Sequence, residues 1–86
     1  DPVTAENIYK QVILQQQESK EMQDYALAYS GMKPKAAAAI FNTMTDNLDL
    51  VAKILNAMSA EERGDILAAM DADVAARLTK IMNPDP

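Results

Sequence analysis

Residues 32–82 read MKPKAAAAIFNTMTDNLDLVAKILNAMSAEERGDILAAMDADVAARLTKIM, and this stretch decides the fold. Five of the six methionines lie in it, with spacings of twelve, fourteen, twelve and twelve residues: Met32, Met44, Met58, Met70 and Met82. One or two large apolar residues precede each closing methionine at the same distance. Self-similarity at a fixed period is typical of stacked repeats. The stretch therefore indicates four units of about twelve residues, the second with a two-residue insertion in 45–48.

Each unit is predicted to form one short helix, because residues that favour helix starts stand at its beginning. Ser59 and Glu62 have the spacing of a capping box, in which the serine hydroxyl accepts a hydrogen bond from the glutamate amide. The other starts are assigned to Pro34, to Thr45 or Asp46, and to Asp71. We expect helices over about 34–43, 47–57, 60–69 and 72–81, with no strand.

The apolar positions that recur in the repeat form the predicted core. They are Ile40, Phe41, Met44, Ile54, Leu55, Met58, Ile66, Leu67, Met70 and Leu78. Helices this short are marginal alone in water, so they must bury these residues against one another. Gly64 interrupts the third predicted helix, and either allows a close approach of two helices or is a tolerated surface position.

A longer helix is predicted ahead of the repeats, over about 4–30, with Thr4 as its cap and Gly31 in the left-handed position after its end. Its second half carries an apolar stripe at three- and four-residue spacing, which we expect to dock on the first repeat helices: Met22, Tyr25, Tyr29 and Met32. The stretch 15–21 is polar on every face, so it is expected to lie in solvent. The chain thus divides into a long helix at 1–31 and a short-helix domain at 32–86.

The first half of the long helix contains the candidate partner-binding residues. They are Ile8, Tyr9, Val12 and Ile13, an apolar cluster separated by the polar stretch from the part that reaches the core. Such a cluster marks a contact, either with a second copy of the same helix or with a client protein. The segment also fits the end of a coiled coil, although the heptad pattern over 8–21 is poor.

Composition excludes several other function classes for these 86 residues. The chain has no cysteine and no histidine, so it lacks thiolate chemistry, the commonest general base and the commonest transition-metal ligand. A net charge of −5 disfavours a nucleic-acid surface, and no apolar run approaches the roughly 18 residues of a membrane span. We therefore expect a non-enzymatic domain with no cofactor and no catalytic residue.

The acidic residues near two helix starts offer a possible site for a divalent cation such as Mg²⁺. They are Glu61, Glu62, Asp65, Asp71 and Asp73. Hard cations prefer carboxylate oxygens, but helix capping and a solvated face already account for each of these positions. The acidic spacing of an EF-hand is absent. We therefore expect no metal site.

The residues of the repeat resemble a known family. The segment Tyr29–Met44, followed by LVAKILNAM over 50–58 and MSAEERGDIL over 58–67, is similar to the intracellular N-terminal domain of MgtE magnesium transporters. That superfamily includes the middle region of the flagellar rotor protein FliG and the flagellar MotE and YlxF proteins. The segment Tyr29–Met44 is most similar to the MotE and YlxF group. The Glu-His-Pro-Gln motif of FliG is missing, which argues against a rotor function.

The resemblance implies an all-helical, right-handed superhelical repeat domain. For the MotE group it implies a chaperone or assembly role in flagellar motility, acting on stator components. The domain would then be extracytoplasmic, anchored to the membrane by a segment outside this sequence. The alternative is a magnesium-responsive regulatory domain on the cytoplasmic side of an MgtE-type transporter. Because the sequence opens at Asp1 without an initiator methionine, we expect it to be a piece of a longer chain.

Overall fold

The computed structural model describes residues 2–84, and its side chains from residue 8 to residue 84. Five α-helices follow one another: α1 Pro2–Ser30, α2 Pro34–Asn42, α3 Leu48–Asn56, α4 Ala60–Ala69 and α5 Ala72–Met82. A 3-10 turn, Thr45–Asn47, precedes α3 and takes up the two extra residues of the second unit. No strand occurs within residues 2–84, so the predicted all-helical class is confirmed.

The short helices pack on each other in alternation along the chain. α2 lies against α4, α3 lies against α5, and the second half of α1 lies against α3 and α2. Helices of nine to eleven residues gain most of their stability from such packing of an apolar face. The right-handed superhelical arrangement of the repeat stays a prediction.

The core is small and apolar. Phe41, Leu55, Leu78 and Val51 are its largest fully buried side chains. Buried alanines at 26, 37, 38 and 52 bring the helix backbones close together, because an alanine side chain ends at its β-carbon. The rings of Tyr29 and Phe41 lie 4.7 Å apart between centroids, which joins α1 to α2. Over residues 8–84 no polar or charged side chain is buried, so the core itself is held together by apolar contact.

The predicted core is confirmed at seven positions and differs at three. Phe41, Ile54, Leu55, Met58, Ile66, Met70 and Leu78 are buried. Ile40 is 38% exposed, so its prediction is wrong, and Met44 and Leu67 are only partly buried against the core. Neighbouring residues on a helix point about 100° apart, and α2 turns Phe41 inward together with Ala37 and Ala38. Ile40 therefore points away from the core.

Two of the predicted helix starts are confirmed. The Ser59 hydroxyl accepts a hydrogen bond from the backbone N–H of Glu62 at 3.2 Å. Pro34 occupies the first turn of α2, where its missing N–H leaves no helical hydrogen bond unmade. These two starts need only residues close in sequence, which is why the sequence predicts them well.

Of the other two predicted helix starts, Asp71 is confirmed in position only, and Thr45 or Asp46 is wrong. Asp71 holds the N-cap position of α5, but its side chain makes no capping hydrogen bond. Its backbone N–H instead donates to Oδ1 of Asn42 at 3.1 Å, which links the end of α2 to the turn before α5. Thr45 and Asp46 do not cap α3, because both lie in the 3-10 turn, and Asn47 precedes the helix without a side-chain bond.

The ends and the stripe of the long helix also require correction. α1 begins at Pro2, so Thr4 lies inside the first turn and is not the cap. Gly31 has no positive φ, and its N–H continues the helical pattern by donating to the carbonyl of Leu27 at 3.1 Å. Tyr25 is 50% exposed, and Ala26 takes the buried position beside it. The stripe that docks is therefore narrower than predicted.

Gly64 lies in the interior of α4 on the solvent side. A β-carbon added there would meet no atom within 4 Å, so the interpretation as a close helix approach is wrong. A glycine inside a helix is destabilising by roughly 0.5–1 kcal/mol relative to alanine.

We expect Gly64→Ala to raise the free energy of unfolding by about 0.5–1 kcal/mol, because the helix gains a better former without a clash. Urea denaturation followed by circular dichroism measures the change. Gly31→Ala is the matched control: it lies in a turn after α1, and its gain should be smaller. An unchanged or lowered stability for Gly64→Ala would contradict the exposed placement.

We expect Leu55→Ala to lower the free energy of unfolding by about 2–5 kcal/mol, because it removes a fully buried side chain and leaves a cavity. The matched control is Ile40→Ala, which trims an apolar residue that is 38% exposed. Its loss should stay below about 1 kcal/mol. Equal losses for the two variants, measured by urea denaturation, would contradict the core described above.

Candidate protein-contact surface on the first helix

The first half of α1 extends beyond the short helices. At 1.5 Å per residue its 29 residues span about 43 Å. The chain measures 50 × 31 × 22 Å and has a radius of gyration of 15.4 Å, against about 12 Å for a compact domain of this length. From residue 8 to residue 21 every side chain is exposed except that of Ile13, which is half-buried. This part of α1 is therefore open to a partner.

The four predicted contact residues lie together on two successive turns of this projecting half. Ile8 is 56% exposed, Tyr9 67% and Val12 45%, and Ile13 is half-buried. Sequence reasoning missed Leu14, which is 63% exposed. The run of three apolar residues at 12–14 could have indicated that Leu14 belongs to the same apolar segment. We call the segment 8–14 the projecting apolar segment.

The face of the projecting apolar segment continues the face by which α1 docks on its own domain. Ile8 precedes the buried Ala26 by eighteen residues, which is five turns at 3.6 residues per turn. Val12 lies about 40° from that direction, whereas Leu14 lies about 120° from it on the other side, about 160° from Val12. The docking face therefore runs on into solvent through Ile8 and Val12.

The polar stretch 15–21 is exposed, as predicted, but one of its side chains bridges to α3. The ammonium of Lys53 forms an ion pair with the carboxylate of Glu18. The Lys53 ammonium donates a hydrogen bond to this carboxylate. That bond, more than the charge attraction between the two groups, raises the pKa of Lys53 above its ordinary value. Both side chains are about half exposed, so the pair orients α1 more than it stabilises the fold.

An open groove of about 540 Å³ begins beside this ion pair, between α1 and the end of α3. It is lined by Glu18, Ser19, Met22, Gln23, Lys53, Asn56 and Ala57. The docking of α1 on α3 therefore starts near Glu18. Ahead of that level the α1 face has no neighbour in the described part of the chain.

Charge on the projecting segment is nearly absent. Between Ile8 and Gln17, Lys10 is the single charged residue, and it lies about 200° around the helix from Ile8. A neutral apolar surface with tyrosine at its edge is suited to protein contact, because tyrosine buries its ring while its hydroxyl stays wet. It offers no group for acid–base chemistry.

Neither a metal-binding cluster nor a membrane span occurs in the described part of the chain. Within it, no three acidic side chains come close enough together to hold a metal ion. The predicted acidic residues Glu61, Glu62 and Asp65 lie along α4, and Asp71 and Asp73 at the start of α5. None of the helices over residues 2–84 combines the length and the apolar character that crossing a membrane requires.

One comparison with known proteins gives a match. The family model of the MgtE intracellular N domain matches residues 9–86, which covers all the short helices and most of α1. No curated protein and no solved structure matches the chain significantly.

Proposed function

The chain belongs to the family of the MgtE intracellular N domain, a non-catalytic helical domain of regulation and interaction, and we propose that it binds another protein through α1. More specifically, we propose a chaperone or assembly factor of the MotE type, acting in the flagellar motor on stator components. In this proposal the domain lies outside the cytoplasm, held at the membrane by an anchor that precedes Asp1 in a longer chain.

One observation supports the contact surface most strongly. The projecting apolar segment exposes Ile8, Tyr9 and Val12 on one side of a helix that has no neighbour there in the described part of the chain. Exposed apolar clusters of this kind on soluble domains mark interaction sites. Short stacked helices also present extended surfaces to partners.

The flagellar assignment is supported by the similarity of Tyr29–Met44 to the MotE and YlxF group. In this structure Tyr29 contacts Phe41, and Ala37 and Ala38 are buried, so these positions shape the fold more than they recognise a partner. The choice of client would then depend on surface residues, of which those in the projecting segment are the most apolar.

The second candidate is a magnesium-responsive regulatory domain on the cytoplasmic side of an MgtE-type transporter. The match of the family model over 9–86 suits either function equally. A regulatory domain of this kind would bind Mg²⁺ through carboxylates, such as those of Asp71 and Asp73 at the start of α5.

We expect Val12→Glu to weaken binding of purified stator subunits by about tenfold or more, since it puts a charge into an apolar contact. Leu14→Glu is the matched control, because Leu14 is at least as exposed but lies on the opposite side of α1. Circular dichroism should show unchanged helicity for both variants. Equal binding by the two variants would contradict the contact surface, and normal motility after deletion of the gene would contradict the flagellar role.

We expect calorimetric titration with Mg²⁺ at physiological salt to give no saturable binding tighter than about 1 mM. No three acidic side chains cluster in the described part of the chain, which leaves the ion no dedicated site there. The variant with Asp71→Asn and Asp73→Asn is the control. Saturable binding that this variant loses would support the transporter function instead.

A further inference from the structure

We propose that the projecting apolar segment pairs with the same segment of a second copy, in antiparallel orientation, with Ile8 of each copy opposite Val12 of the other. The inference rests on the proposed function in one respect, that this segment is a protein-contact surface. It goes further by naming the occupant and the direction of the pairing.

Residues at alternating four- and three-residue steps form one line along α1 from Ile8 to Tyr29, which we call the seam. It consists of Ile8, Val12, Gln15, Ser19, Met22, Ala26 and Tyr29. This is the a and d pattern by which helices pair side by side. From Met22 onward the seam packs on the chain's own α2 and α3. Its first part, Ile8 to Gln15, has the same geometry and no partner within the described part of the chain.

The lack of charge on the segment favours a second copy over a charged client. In an antiparallel twofold pair the side chains close to the axis lie near their own counterparts, so charge on the seam at that level would repel itself. Lys10 is the single charge from Ile8 to Gln17 and points away from the seam, in a chain whose net charge is −5. Gln11 carries both donors and an acceptor and lies beside the twofold axis, so it is able to bond to the Gln11 of the other copy.

The position of α3 decides the direction of the pair. α3 occupies the seam side of α1 from the level of Glu18, where Lys53 binds it. Packed helices lie about 8–10 Å apart. A parallel partner helix would therefore enter the space that α3 already fills. In an antiparallel pair with Ile8 opposite Val12, the two short-helix domains lie at opposite ends. Pro2 of one copy then reaches the level of Glu18 of the other, so from Pro2 onward the two helices overlap only ahead of α3.

Apolar contact is greatest in one antiparallel register. The a and d positions of antiparallel helices face each other, so Val12 of one copy packs on Ile8 of the other, twice by symmetry. Tyr9 then lies near the twofold axis beside the Tyr9 of the other copy. Leu14 stays outside the contact, on the far side of the helix.

The mass in solution tests the occupant. Light scattering of the 86-residue chain should give about 19 kDa, twice its 9.4 kDa. Val12→Glu should return the mass to that of one chain, and Leu14→Glu, the matched control, should leave the dimer intact. A wild-type chain that stays monomeric at about 100 μM would overturn the proposal, as would a dimer that survives Val12→Glu.

Disulfide trapping tests the direction, and the absence of native cysteine makes the result clean. A disulfide needs Cα atoms within about 7 Å. In the antiparallel register Ile8→Cys should cross-link to Val12→Cys when the two variants are mixed, with one carrying an affinity tag so that mixed pairs separate by size. Ile8→Cys alone should not cross-link, since its counterpart lies four residues, about 6 Å, along the axis in addition to the separation across the two packed helices.

The possible outcomes separate this inference from the proposed function. Efficient cross-linking of Ile8→Cys with itself would show a parallel pair and overturn the direction. Cross-linking and mass are read without any client, so a dimer that binds no stator subunit would contradict the flagellar function and leave the pairing intact. A monomer that binds stator subunits through Val12 would contradict the pairing and leave the flagellar function intact.

Discussion

The short helices of this protein are stable only because they pack on one another. None of α2 to α5 exceeds eleven residues, and isolated helices of that length are marginal in water. Their apolar faces meet around Phe41, Leu55 and Leu78, with alanines that let the backbones approach closely. No buried polar side chain contributes within residues 8–84. Everything else, including the direction in which α1 projects, depends on this small apolar core.

Much of the fold was predictable, because its local signals agree with one another. The methionine spacing located the four short helices to within one or two residues, and the Ser59 hydroxyl caps α4 as predicted. Ile40 shows where the reasoning fails. A twelve-residue repeat aligns positions in sequence, but a period of 3.6 decides which of two adjacent apolar residues faces inward. The link from Asn42 to Asp71 joins residues 29 positions apart, so no local pattern could predict it.

The sequence singled out the segment that the structure leaves exposed, although it did not give the directions of the side chains around the helix. Apolar residues ahead of a polar stretch were sufficient to single out Ile8, Tyr9, Val12 and Ile13. The sequence alone did not reveal that Ile8 lies on the same face as Ala26. That relation requires α1 to be one continuous helix that docks through its second half, and the polar residues between the halves disguise the common face. Leu14 escaped notice because it belongs to the other side of the helix.

Because α1 is one continuous helix, a tilt at its docked end displaces its free end. Ile8 stands about 27 Å along the axis from Ala26, so a tilt of roughly 10° at the docked end would move the tip by about 5 Å. Any force on the short-helix domain would reach the tip as displacement, without a change in the contacts of the tip itself. The polar turns at 15–21 connect the two ends of α1. In the described part of the chain, only the Lys53 ion pair ties them to another helix. The bending stiffness of these turns determines how much of a displacement at the docked end of α1 reaches its free end.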